Sequence, residues 1–289
     1  MALCLIVTRP AAQAADWVRQ LSALGLQAQA LPLLGIEAIE DPAPLRSAWQ
    51  ALPTCKLVVF VSPNAVLHFF ASGGDTAWPA AVLAGSTGPG TTQALRQAGV
   101  PAAQIVEPAA DAAQFDTEAL WSRLQALPWQ GQRVWVVRGE GGRDWLAEVL
   151  RQHGAQVDFV AAYRRTPPVL DTAGHVLLAA ARSRPAQHLW LFSSSEAVGC
   201  LHALAPGADW SRSLALASHP RIVQAARDLG FGEVQITAPT VQAVSLSAAR
   251  LNAAEPGADA PSHAPGHPPG RPLGHPVGYE GPSIESVDP

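Results

Sequence analysis

Only one lysine, Lys56, occurs in the 289 residues, which leaves Schiff-base chemistry almost without a candidate. The three cysteines, Cys4, Cys55 and Cys200, are scattered and odd in number, so they form neither a disulfide framework nor a metal knuckle and are expected to be small buried hydrophobes. Net charge is nearly missing too. The formal charge is −4, and residues 253–289 account for all of it. Without a basic stripe and interleaved stacking aromatics, nucleic-acid binding is not expected. The apolar run Leu3–Val7 is far shorter than the ~20 residues of a membrane span, and it lacks the basic start and cleavage site of a signal peptide. A cytoplasmic protein is therefore expected, with no membrane partner. Several site motifs are absent as well. Gly85–Gly90 is not a dinucleotide G-x-G-x-x-G, no glycine loop ends in Gly-Lys-Ser/Thr, and no His-Glu-x-x-His or carboxylate cluster suggests a metal. Ser194 lacks a nucleophile elbow. Neither a metal nor a cofactor is expected.

What the sequence does contain is a repeat. Gly88–Gly99, GPGTTQALRQAG, falls on His219–Gly230, HPRIVQAARDLG, at an offset of 131, with Pro, Gln, Ala, Arg and Gly in the same places. At an offset of 129, LIVTRP (Leu5–Pro10) falls on VWVVRG (Val134–Gly139); there Arg9 meets Arg138 and Gly25 meets Gly154. At 132, VFVSPNAV (Val59–Val66) falls on LFSSSEAV (Leu191–Val198), matching Phe60 with Phe192 and Ser62 with Ser194. Such self-similarity marks two copies of one unit of about 130 residues. From Ala253 onward the composition turns Pro- and Gly-rich without apolar periodicity, so a disordered tail is expected over 253–289. His263, His267 and His275 in it are expected to be inert.

Each copy alternates short apolar runs with helical patterns. Strands are expected at Leu3–Val7, Leu57–Val61, Val82–Ser86, Gln104–Glu107, Val134–Val137, Leu189–Phe192, Leu214–Ser218 and Val234–Thr237. Helices include Ala14–Leu24, Ala65–Phe70, Thr92–Ala98, Thr117–Leu127, Asp144–His153 and Val223–Leu229. Strands without polar alternation are parallel strands covered on both faces, so the fold class is α/β with two doubly wound sheets. Ala30–Ile39 and Val157–Pro168 look like extended linkers between lobes, with prolines restricting their flanks. The tryptophans on helical and strand stretches, Trp17, Trp121, Trp145, Trp135 and Trp190, are expected in the core.

In open α/β sheets, ligands bind beyond the carboxyl ends of the strands. The residues there are Thr8-Arg9-Pro10, Ser62-Pro63-Asn64, Gly88-Pro89-Gly90-Thr91, Arg138-Gly139-Glu140, Ser193-Ser194-Ser195 and His219-Pro220-Arg221. Small, hydroxyl-bearing and Pro residues suit helix starts, whose free N–H groups and dipole favour anions. Each turn alone reads better as an ordinary cap; six together, facing one another in two lobes, point to an anionic ligand. Tyr163, followed by Arg164 and Arg165 on the second linker, is either a tyrosine half-buried at a junction or a functional hydroxyl. A non-catalytic two-lobed binder of an anionic small molecule fits these features as well as an enzyme does.

The ordered set L-I-V-T-R-P, L-P-L-L-G-I-E, V-F-V-S-P-N-A-V, T-G-P-G-T, V-R-G-E-G-G-R, A-Y-R-R-T-P, F-S-S-S-E-A-V, H-P-R-I-V-Q-A-A-R-D-L-G-F and T-A-P-T, running from Leu5 to Pro239, resembles the uroporphyrinogen-III synthase family. The resemblance implies two similar flavodoxin-like lobes joined by a two-stranded linker, with a segment swap. Residues 1–36 plus 166–252 would form one lobe and 40–160 the other, with linkers at about 30–39 and 157–168. It implies a cofactor-free, cyclising lyase of haem biosynthesis that converts hydroxymethylbilane, a linear tetrapyrrole with eight carboxylates, into the ring-inverted macrocycle with loss of water. Such a chain would be a monomer, contacting neighbouring tetrapyrrole enzymes at most transiently. Carried over, Tyr163 is the catalytic residue that delivers a proton to the leaving hydroxyl. Arg9, Pro10, Ser62, Asn64, Ala65, Gly88, Gly90, Thr91, Arg138, Gly139, Glu140, Ser193, Ser194, Ser195, His219 and Arg221 are implied to bind substrate. The turn His219-Pro220-Arg221-Ile222 departs from the family's common G-P-x-T.

Overall fold

The computed structural model describes residues 3–73 and 76–253. The tail expectation and its three histidines fall on residues outside these, except that Ala253, assigned to the tail, is the last residue of a helix.

Five strands form the first sheet: β1 (Cys4–Val7), β2 (Gln27–Ala30), β9 (His188–Phe192), β10 (Leu214–Ala217) and β11 (Glu233–Ile236). They lie in the order β11-β10-β9-β1-β2, all parallel. The second sheet contains β3 (Gly35–Ala38), β4 (Leu57–Phe60), β5 (Leu83–Ser86), β6 (Ile105–Val106), β7 (Arg133–Gly139) and β8 (Gln156–Thr166). Its order is β3-β8-β7-β4-β5-β6, parallel except for β3. Taken from β7, the parallel strands of the second sheet have the same 2-1-3-4-5 order as those of the first, the flavodoxin-like arrangement. The duplication and the segment swap are both visible here. Each sheet takes its first two strands from the start of one repeat copy and its last three from the remainder of the other.

Ten helices in the described residues cover the sheets: α1 (Ala11–Ala23), α2 (Ala43–Ala51), α3 (Pro63–Ala71), α4 (Pro89–Gln97), α5 (Thr117–Leu124), α6 (Trp145–Gln152), α7 (Thr172–Ser183), α8 (Ser195–Leu204), α9 (Pro220–Asp228) and α10 (Val241–Ala253). Side chains leave each strand alternately, and on inner strands such as β1, β4 and β9 both sets are buried. On β9, Trp190 and Phe192 enter one core while Leu189 and Leu191 enter the other. On β4, Val58 and Phe60 face one layer and Leu57 and Val59 the opposite one. Covering both faces is what removes polar alternation from these strands. The repeat extends to backbone detail. Gly25 and Gly154 close α1 and α6 with φ of 80° and 87°, a left-handed conformation that glycine adopts without a Cβ clash.

Two segments depart from the sequence reading. β2, QAQA, was not expected as a strand because it is a largely exposed edge with no apolar run. Val157–Pro168 is more than a linker. β8 pairs parallel with β7 from Gln156, then continues antiparallel to β3, with Ala38 opposite Tyr163 and Gly35 opposite Thr166. One strand thus belongs to the second sheet and forms the two-stranded connection.

Candidate active site

The carboxyl ends of β1, β4, β5, β9 and β10 face one cleft of about 980 Å³. Its wall includes Arg9, Pro10, Ser62, Asn64, Gly88, Gly90, Thr91, Tyr163, Ser193, Ser194, Ser195, His219 and Arg221. The turns that the repeat duplicated therefore come together from both lobes.

Their helix starts are not equivalent. Ser62 Oγ accepts from Ala65 N–H at 3.1 Å and Ser194 Oγ from Glu196 N–H at 3.1 Å, so the matched serines cap α3 and α8 alike. His219 Nδ1 accepts from Arg221 N–H at 3.1 Å and caps α9. α1 and α4 have no side-chain cap. On α1, the N–H groups of Ala11, Ala12 and Gln13 precede the first intrahelical bond, Ala14 N–H to Pro10 O. On α4, Thr91 and Thr92 N–H both reach Gly88 O, which leaves that of Gly90. These two open ends, one per lobe, combine unsatisfied donors with the positive pole of the dipole.

Arg9 sits beside the α1 end. Its guanidinium lies 4.2 Å over the Trp17 ring, and among the described residues Nε is buried without a hydrogen-bond partner and the one side-chain hydrogen bond is to Gln13 Oε1 at 3.5 Å. Burial lowers its pKa to about 10, so it stays charged at neutral pH while lacking a carboxylate. Trp17 is thus a cleft residue as well as a core neighbour. Among the described residues, two side-chain bonds cross the cleft between lobes: Gln13 Nε2 donates to Asn64 Oδ1 at 3.0 Å, and His219 Nε2 meets Asp116 Oδ2 at 3.3 Å. Asp116 Oδ1 also caps α5 at Ala119 N–H. Because His219 Nδ1 is an acceptor, Nε2 carries the proton and donates to Asp116.

Tyr163 is 2% exposed. Its ring lies against Gly139, where an added Cβ would come within 2.8 Å of it. Its Oη is 3.0 Å from Ser62 Oγ, and Arg165 Nη2 approaches at 3.5 Å. Arg165 is in turn paired with Glu196 at 3.3 Å.

Four residues expected to bind substrate do not line this cleft. Ala65 is fully buried, its N–H committed to Ser62. Arg138 pairs with Asp144 at 2.6 Å and stacks 3.7 Å over Phe159. Gly139 is covered by Tyr163. Glu140 is held through its N–H to Tyr163 O at 2.9 Å and faces a separate cavity of about 520 Å³, with Glu40, Asp41 and Arg164. For Arg138, Gly139 and Glu140 the physical reason is β8, whose extension past β7 closes the end of that strand. Gln13 and Asp116 line the cleft without having been singled out, and Trp17, expected in the core, and Arg165, named only beside Tyr163, line it too; Asp116 carried a signal as the acidic residue just before a helix. Among the described residues, no cluster of metal-ligating groups occurs and no helix is long and apolar enough to cross a membrane.

A family model described as uroporphyrinogen-III synthase HemD matches residues 15–245. The uroporphyrinogen-III synthases of Salmonella typhimurium and Escherichia coli are each 27% identical, over 245 and 247 residues, covering 81% of this chain and 94% of each relative. That of Proteus mirabilis is 30% identical over 165 residues, 56% of this chain and 80% of the relative. Among solved structures, a mutant uroporphyrinogen III synthase from Thermus thermophilus aligns with a TM-score of 0.53 at 18% identity, covering 87% of this chain and 99% of that one. The Helicobacter pylori uroporphyrinogen-III synthetase gives 0.51 at 15%, covering 86% and 99%. At these identities the structural matches carry the fold alone.

Proposed function

Because the chain belongs to the uroporphyrinogen-III synthase family, the cyclising lyases of haem biosynthesis, we propose that its cleft binds hydroxymethylbilane and closes it with the terminal ring inverted. The observation that carries the reading is the cleft itself. Its volume of about 980 Å³ reaches the upper end of ~300–1,000 Å³ for small-molecule sites, and open helix ends from both lobes face it. A polycarboxylate is held there by the N–H groups of Ala11, Ala12, Gln13 and Gly90 and by Arg9, while the lobes, 1–36 plus 166–252 and 40–160, fold it so that its ends meet. Arg221, in a turn that carries Ile222 where the family's common G-P-x-T has threonine, adds a second cation on the first lobe.

The chemistry is largely positioning. Loss of the terminal hydroxyl as water leaves an electrophilic azafulvene. Attack on it by the already substituted carbon of the last ring gives a spiro intermediate, which fragments and recloses inverted. Unguided, the same substrate closes without inversion, so holding the reacting ends in place decides the product. Tyr163 supplies the proton for the departing hydroxyl. A cytoplasmic monomer suits this role. No observation favours the non-catalytic binder. The test is incubation with fresh hydroxymethylbilane and chromatographic separation of the isomers. The proposal expects the inverted isomer to predominate, and the uninverted isomer at the protein-free rate would refute it.

A further inference from the structure

Tyr163 borders the cleft with only 2% of its surface exposed, and the way its hydrogen bonds run suggests how its proton reaches the substrate. A hydroxyl has one proton and two acceptor sites. Tyr163 Oη has two described neighbours, Ser62 Oγ at 3.0 Å and Arg165 Nη2 at 3.5 Å. A guanidinium only donates, so Arg165 takes an acceptor site of Oη, and the sole acceptor left for the tyrosine proton is Ser62 Oγ. The reverse direction, Ser62 donating to Tyr163, would leave the phenol proton of this 2%-exposed residue with no acceptor among the described residues.

Ser62 Oγ then accepts twice, from Tyr163 and from Ala65 N–H at 3.1 Å. Both of its acceptor sites are filled. Its own proton has no described partner, and Ser62 lines the cleft. We propose that Ser62 is a second catalytic residue, the donor that touches the substrate's leaving hydroxyl, and that Tyr163 acts through it as the proton reservoir. The proposal rests on the reading of the cleft as the cyclisation site with Tyr163 as its acid.

The step balances. The C–O bond of the hydroxymethyl group breaks and its electron pair stays on oxygen. That oxygen takes the Ser62 proton and leaves as water. Ser62 Oγ takes the Tyr163 proton, and the phenolate forms facing the Arg165 guanidinium. The pyrrole nitrogen's lone pair makes the azafulvenium cation, so cation and phenolate appear together. The proton the ring nitrogen then sheds restores Tyr163 through Ser62, and water is the only loss.

Four proteins decide it: wild type, Ser62→Ala, Tyr163→Phe and the double variant, assayed by single-turnover formation of the inverted isomer from hydroxymethylbilane. Each single variant is expected to slow the reaction about 10- to 100-fold, and the double variant no more than about twofold beyond the slower single. Ser62→Thr, which keeps hydroxyl and cap, is expected to recover most of the rate lost in Ser62→Ala. Rates in mixed light and heavy water are expected to bow with deuterium content in the wild type and to become linear in both single variants. Loss of the α3 cap alone would lower the melting temperature without touching that curvature. Multiplying effects in the double variant, or Ser62→Ala at full rate beside a slow Tyr163→Phe, would overturn the relay and leave Tyr163 as the acid. Full rate in both singles would overturn the relay and the acid assignment together.

Discussion

Replacing Arg9 with methionine removes the one cleft cation whose Nε is buried without a partner. The stem and its contact with Trp17, over which the guanidinium lies at 4.2 Å, are largely kept. A hydrogen bond to a charged group is worth about 1.5–3 kcal/mol, so KM for hydroxymethylbilane is expected to rise roughly 10- to 150-fold. The contact is made equally in ground and transition states, so kcat is expected to change little. Stability should move the other way from an ordinary deletion. Burial lowers the Arg9 pKa to about 10, because dehydration in the fold disfavours its charge. Removing it relieves that cost, and Tm is expected to hold or rise. Arg138→Ala is the control. Its guanidinium is committed to Asp144 at 2.6 Å and to Phe159 at 3.7 Å, outside the cleft. It is expected to leave KM unchanged and to lower stability by about 1–2 kcal/mol, from one cation–π contact and one ion pair. Steady-state kinetics on both variants, with anaerobic product titration and thermal melts, make the comparison. An unchanged KM in Arg9→Met with a lowered Tm, or a raised KM in Arg138→Ala, would refute the reasoning.

Three further predictions follow from the packing and charge. Gly139→Ala places a Cβ 2.8 Å from the Tyr163 ring, so it is expected to destabilise by about 1–3 kcal/mol and to slow turnover by displacing the hydroxyl from Ser62; melts and single-turnover rates check both. Glu118 is held down to about 2 from an ordinary 4.5, chiefly by hydrogen bonding from Arg143, so its contribution is full above pH 4.5 and is lost as pH falls towards 2. The Tm gap between wild type and Glu118→Gln is therefore expected to close across that interval in a pH series of melts. Trp190→Ala empties a fully buried site between Phe192 and Trp210 and is expected to cost about 3–5 kcal/mol by chemical denaturation, with no change in isomer selectivity for the folded fraction.

Much of the architecture was legible because burial on both faces writes itself as short apolar runs, and because a duplicated unit repeats its caps and glycines. Ser62 and Ser194 matched in the repeat and cap equivalent helices. The edge strand β2 was not legible, since QAQA buries little and its strand character comes from pairing with β1. Position along the chain also misled at one turn. Arg9 and Arg138 end equivalent strands, yet only Arg9 faces the cleft. β8 runs on past β7 to reach β3, holds Glu140 N–H, and closes that strand end, whereas β2 ends at Ala30 and the chain after it bonds β1 only as far as Thr8, through Leu31 N–H to Val7 O and Leu33 N–H to Thr8 O, short of Arg9. Such a difference lies in strand length and pairing, which residue matching does not carry. The cross-cleft bonds Gln13–Asn64 and His219–Asp116 were hidden for the same reason, each joining parts of the chain whose proximity depends on the swap.

The site assignment is tested most directly by amide hydrogen exchange with and without the macrocyclic product. Slowed exchange is predicted at Ala11, Ala12, Gln13 and Gly90, the open N–H groups of α1 and α4, with no change at 138–143. Protection around Glu140 and Arg164 at the second cavity, with none at the two helix ends, would contradict it.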